Sequence, residues 1–106
     1  MASTYCITFR IADKTVGGKT YADRRQMLMH NARTKGLGFW EETTSFVLTE
    51  SAMNTWDFAD KVCSGLSAAN DIVVVFDPSD MSMAYFGPVA APDVLRSFFV
   101  TAQKLP

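Results

Sequence analysis

Cysteine is scarce in this chain of 106 residues: only Cys6 and Cys63 are present. A structural zinc site needs about four ligands arranged in close-spaced pairs, so two isolated thiols cannot supply one. Cys6 stands between apolar neighbours in an extended run and Cys63 on the apolar side of a helical one, the usual setting of inert core thiols. Histidine is scarcer still. His30 is the only one, and no serine or cysteine is placed by local sequence to use it as a base, so no nucleophile triad can be assembled. No apolar run approaches the roughly 20 residues required to cross a bilayer. No basic leader precedes the first strand, which points to a cytoplasmic protein without a membrane partner. Linkers, repeats and low-complexity tracts are missing too, so residues 1–106 are expected to form one domain.

Hydrophobic residues make up 48% of the chain and charged residues 20%, a balance that builds a core and excludes a disordered chain. The net charge of −1 hides an uneven distribution. Residues 1–35 carry seven basic side chains (Arg10, Lys14, Lys19, Arg24, Arg25, Arg33 and Lys35) against Asp13 and Asp23, and the remainder holds three basic and nine acidic residues. A basic third of this kind suits a phosphate-bearing ligand, the acidic face of a partner, or a plain solvated surface. For nucleic acid, the candidate contacts are Arg10, Lys19, Arg24, Arg25, Arg33 and Lys35. The overall pI near 5.7 is that of no general nucleic-acid binder.

The alternating run YCITFRIA reads as a first strand. A loop with paired glycines, residues 13–19, follows. Thr20 begins a helix to Lys35, with Asp23 at capping-box spacing, Tyr21, Leu28 and Ala32 inward, and Gly36 as its stop. Residues 40–49 read as extended, bent or bulged and with no tight hairpin, because no Gly, Pro or Asn divides WEET from TSFVL. A second helix, Asn54 to Ser67, turns Trp56, Ala59, Val62, Cys63 and Leu66 to one side. DIVVVF is a continuously apolar strand of the mid-sheet kind, and MSMAYFG is a last strand at an apolar edge. Pro92 opens a C-terminal helix with Leu95, Phe98, Phe99 and Ala102 on one face. Burial should be deepest at Ile7, Phe9, Leu28, Phe46, Val62, Leu66, Val73 and Val75.

Two motifs imitate catalytic sites. Gly18, Lys19 and Thr20 spell the tail of a phosphate-binding loop, and Asp77 after an apolar strand resembles a magnesium-holding acid. The loop fails, since Asp13 occupies the place of its first glycine and would set a negative charge against phosphate oxygens. Glu41 and Glu42 are paired carboxylates, but neighbours on a strand point to opposite faces and cannot act on one bond. The residues therefore predict no cofactor, no metal site and no complete catalytic constellation.

The order strand, helix, WEETTSFVLTES, helix, DIVVVF, AYFG resembles the small SinR-family proteins, which are similar to the CRISPR-associated adaptation subunit and to virulence-associated protein D. The likeness covers roughly residues 5–88. It implies an α+β, ferredoxin-like βαββαβ sandwich with an antiparallel sheet of four to five strands, two helices on one face plus a C-terminal helix, and a homodimer. Relatives that act as nucleases end their first strand in an aspartate that helps bind magnesium across the dimer axis; here that place holds Arg10, a cation that repels a metal. The expectation is a cytoplasmic homodimer with a binding or structural role toward nucleic acid or a protein. The alternative is a metal-dependent endoribonuclease or DNase using Asp13 across the axis. An apolar edge around Met83, Tyr85 and Phe86, with Phe98 from the last helix, is the expected dimer contact.

Overall fold

The structure, a computed structural model, describes residues 2–106. Strand β1 (Ser3–Arg10) leads through the glycine-bearing loop to helix α1 (Tyr21–Ala32). The short β2 (Phe39–Trp40) and β3 (Phe46–Ser51) precede α2 (Thr55–Cys63), and β4 (Ile72–Asp77), β5 (Ser82–Phe86), α3 (Pro92–Arg96) and β6 (Thr101–Lys104) complete the chain. The strands form one sheet in the order β2-β3-β1-β4-β5-β6. All neighbours are antiparallel except β5 and β6, which are parallel. Six strands thus replace the expected four to five, and the sheet is not wholly antiparallel. A parallel neighbour requires a crossover of a dozen or more residues, and residues 87–100, with α3 in their middle, supply it.

Local chemistry explains both long helices. The Thr20 hydroxyl accepts from the Asp23 amide while Asp23 accepts from the Thr20 amide, each at 3.0 Å, closing the capping box. Asn54 caps α2 through the Asp57 amide at 2.8 Å. Both helices stop earlier than expected, α1 at Ala32 and α2 at Cys63. Between β2 and β3 the chain loops out over residues 41–45, so Glu41 and Glu42 stand exposed on a loop and not on a strand.

Alternation along β1 sends Tyr5, Ile7 and Phe9 toward the helices, where they join Leu28, Val47, Phe58, Val62, Val73 and Val75 in the main core. Expected core residues Phe46 and Leu66 are only half-buried. Phe46 shares its strand face with exposed Leu48, opposite Val47, and Leu66 lies past the end of α2. A second cluster of Val74, Met83 and Tyr85 lies on the other face of the sheet, covered by Leu95, Phe99 and Ala102. The expected C-terminal helix is confined to five residues, because Phe99 and Ala102 are anchored to this back face and Thr101 enters the sheet. Among the described residues no helix is long and apolar enough to cross a membrane.

Candidate functional site

Arg24 is not on the surface. It is 1% exposed and its five donors are all engaged. Nε donates to Asp71 Oδ2 at 2.9 Å and one terminal nitrogen to the carbonyls of Lys14 and Lys19 at 2.9 and 2.7 Å; the other reaches the Ala12 carbonyl at 2.8 Å and Asp71 Oδ1 at 3.4 Å. Asp71 accepts in addition from the amides of Ala12 and Ser67, both at 2.9 Å. Burial works against the Asp71 carboxylate, but these backbone amides and the guanidinium outweigh it and hold its pKa below the ordinary value. Arg24 therefore leaves the set of candidate phosphate contacts and becomes the clamp that fixes residues 12–19 between α1 and the start of β4.

The same clamp settles the phosphate-loop imitation. Val16 and Lys19 exchange backbone hydrogen bonds at 2.9 and 3.0 Å around Gly17 and Gly18, whose φ angles of 57° and 80° suit a tight turn of the primed type. No open cradle of amides exists there. Lys19 lies near the start of β4 and Asp77 at its end, roughly 20 Å of extended chain apart, too far to share one nucleotide-bound ion.

The other expected cations separate into two groups. Arg10 at the end of β1, Lys19 in the clamped loop and Arg25 early in α1 lie at one end of the molecule, joined there by Lys14, which was not among the expected contacts; Arg10 and Lys14 are exposed, and Lys19 and Arg25 half-buried. Arg25 reaches the Thr44 carbonyl at 3.3 Å and sits over the Phe9 ring. Arg33, over Phe39, and Lys35 follow the far end of α1, about 18 Å away along twelve residues. Asp13 is exposed in the loop, its neighbours Ala12 and Lys14 tied to Arg24.

Of the expected dimer contacts, Met83 and Tyr85 are buried on the back face, where β6 and the crossover cover them, and Phe86 is buried in the main core. Within one copy they present almost no surface. Phe98 is 69% exposed and stands beside Val94 and Val100, the latter 79% exposed. Cys6 and Cys63 are buried free thiols; burial pushes the Cys63 thiol up to about 12, with Asp60 adding to the effect, which keeps it unreactive near neutral pH. His30 is exposed in the last turn of α1.

A cleft of about 540 Å³ was not anticipated from the sequence. It opens on the helix side of the sheet, over β5 and β6 and beside the first turn of α2, where no helix covers the strands. Asp77 and Asp80 line it together with Tyr5, Thr55, Trp56 and Gln103. The Tyr5 hydroxyl donates to the Met53 carbonyl at 2.6 Å, and the Thr55 and Ser82 hydroxyls lie 2.6 Å apart. Asp80 accepts from the hydroxyl and amide of Ser82, which lower its pKa. In sequence the only signal was the pair of acids in DPSDMS, which reads as an ordinary strand-ending turn. Among the described residues no three histidine, cysteine or acidic side chains gather as a metal site. Compared with protein families, curated proteins and solved structures, the chain finds no match.

Proposed function

We propose that this chain is a homodimeric binding protein with a ferredoxin-like fold, of the kind represented by the SinR-family proteins, and that it works without catalysis. The fold reading rests on strand order: β2-β3-β1-β4, antiparallel throughout, with the core of α1 and α2 on one face, is the arrangement a split β-α-β pair produces. Strands β5 and β6 extend it on one side.

The observation that carries the dimer is the free edge of β6, flanked by exposed Phe98, Val100 and Val94. An unpaired strand edge beside apolar side chains invites pairing. The opposite edge, β2, has only two residues and is a poor template. A twofold axis through β6 sets Thr101 opposite the partner's Lys104 and Ala102 opposite the partner's Gln103, so no like charges meet. The result is a continuous twelve-stranded sheet, six strands from each copy.

This assembly disfavours the nuclease alternative. The two β1 strands lie seven strand spacings apart, roughly 34 Å, with their ends pointing in opposite directions. The two Asp13 carboxylates then cannot share an ion. For the same reason the basic ends do not merge into one groove, and any nucleic-acid contact is made separately by each copy through Arg10, Lys14, Lys19 and Arg25.

Sedimentation tests the dimer: the wild type should sediment as a dimer at micromolar concentration, and Phe98→Asp combined with Val100→Asp should yield a folded monomer. A monomeric wild type sinks the reading. In a mobility-shift titration, Arg10→Ala with Lys14→Ala should weaken any salt-sensitive complex and reduce its salt slope by about one per lost contact. Magnesium titrated by calorimetry should show no site that depends on Asp13.

A further inference from the structure

The cleft beside α2 contains an acid whose coordination is half complete. Asp77 is 5% exposed, yet it lines the cleft. Its Oδ1 accepts from the amide and hydroxyl of Ser79 at 2.8 and 2.7 Å. Among the described residues no group donates to Oδ2. No fully buried side-chain oxygen or nitrogen lacks a partner, so Oδ2 keeps some contact with solvent, and Asp77 borders the cleft. A mostly buried carboxylate with one oxygen unpaired within the protein favours a cationic partner from outside.

The rest of the lining agrees in charge and shape. Asp80 adds a second carboxylate at the rim, and none of the lining residues is basic. The amino end of α2 contributes about half a positive charge, but Asp57 in its first turn offsets this and two full negative charges exceed it. Half-buried Trp56 offers an aromatic surface beside the acids, suited to an alkyl stem and to a cation over its face. The hydroxyls of Thr55 and Ser82 and the Gln103 amide supply further acceptors. The cleft is of the size that holds a small ligand.

We propose that this cleft binds a primary alkylammonium group, its nitrogen on Asp77 Oδ2 and its carbon chain along Trp56. An ammonium is preferred to a guanidinium because Ser79 already occupies Oδ1. A planar guanidinium fork gains most from two free oxygens, whereas an ammonium is a compact charge with three rotatable donors that one free oxygen and neighbouring hydroxyls satisfy. The group is either a free amine or the end of a lysine side chain. The site lies within one copy, so it stands whether or not the chain dimerises through β6.

The test is a calorimetric titration of the folded protein with pentylamine, pentylguanidine, pentanol and pentanoate, and with Nα-acetyl-lysine amide to separate a free amine from a lysine residue. Pentylamine should bind best, pentanol and pentanoate at least about tenfold more weakly, and raised salt should weaken the amine. Asp77→Asn keeps an oxygen for Ser79 and should lower amine affinity about tenfold or more, while Asp80→Asn should lower it severalfold. Nitrogen-15 NMR should place the shifts at the Trp56 indole and around Asp77. The proposal is overturned if pentanol binds as well as pentylamine, if Asp77→Asn leaves affinity unchanged, or if no amine binds at millimolar concentration. Should Asp77→Asn fail to fold, salt-independent amine binding or an unchanged affinity in Asp80→Asn overturns it equally.

Discussion

Replacing Arg24 by methionine removes the guanidinium from between α1, the 12–19 loop and Asp71 while keeping a side chain of comparable length. The loss has two parts. Asp71 is left as a buried carboxylate with only the Ala12 and Ser67 amides as donors, and the carbonyls of Ala12, Lys14 and Lys19 lose a charged donor. Removing one partner of a buried ion pair costs about 3–5 kcal/mol. The loop can partly rehydrate its carbonyls, so we expect about 3 kcal/mol, a large share of a total near 5–15 kcal/mol. For a chain of this size that lowers Tm by about 12 °C or more. Urea unfolding followed by circular dichroism measures it at pH 7. Adding Asp71→Asn to Arg24→Met removes the stranded charge and should recover about 1–2 kcal/mol relative to the single variant. A single-variant loss under about 1 kcal/mol, or a double variant no better than the single, would refute the clamp.

Acid should expose the same pair. Because the folded-state pKa of Asp71 lies below its ordinary 3.8, its contribution is complete above that value and is lost as pH falls through the depressed one; wild-type stability should decline below about pH 4 more steeply than that of Arg24→Met with Asp71→Asn. Gly87 holds φ at +89°, and a Cβ there would lie 1.7 Å from the Asp71 carbonyl oxygen, so Gly87→Ala should destabilise by more than about 2 kcal/mol in the same urea assay. Val75 is fully buried on the helix side of β4. Val75→Asp should leave no cooperative thermal transition, since an unpaired buried charge costs several kcal/mol, and a melting temperature that hardly moves would contradict its place in the core.

The elements that could be read in the sequence were those whose signals are local. Thr20 with Asp23, and Asn54 with Asp57, announce helix starts because a cap needs only neighbouring amides. The unbroken apolar run Ile72–Phe76 announces a buried strand because both faces are covered. What was hidden depends on residues distant in sequence. Arg24 reads as one more surface cation on a polar helix, and only the fold brings Asp71 beneath it. Thr101–Lys104 has weak strand propensity and continues the helical spacing of Leu95, Phe98 and Phe99, so its place beside β5 is set by the crossover and the back-face cluster, not by its own preference. The cleft draws on β1, α2, the β4–β5 turn and β6 together, and no spacing in the sequence links them.

The parallel docking of β6 has a kinetic consequence during folding. Every other pairing in the sheet, β4 with β5 included, can form without β6, yet the outer edge of β5 then stays unpaired, with Met83 and Tyr85 uncovered on its back face. Until Thr101–Lys104 docks, the folding chain presents the open edge of a largely apolar five-residue strand, of the sort that recruits other chains. The interval before β6 docks is therefore one in which the folding chain is open to aggregation.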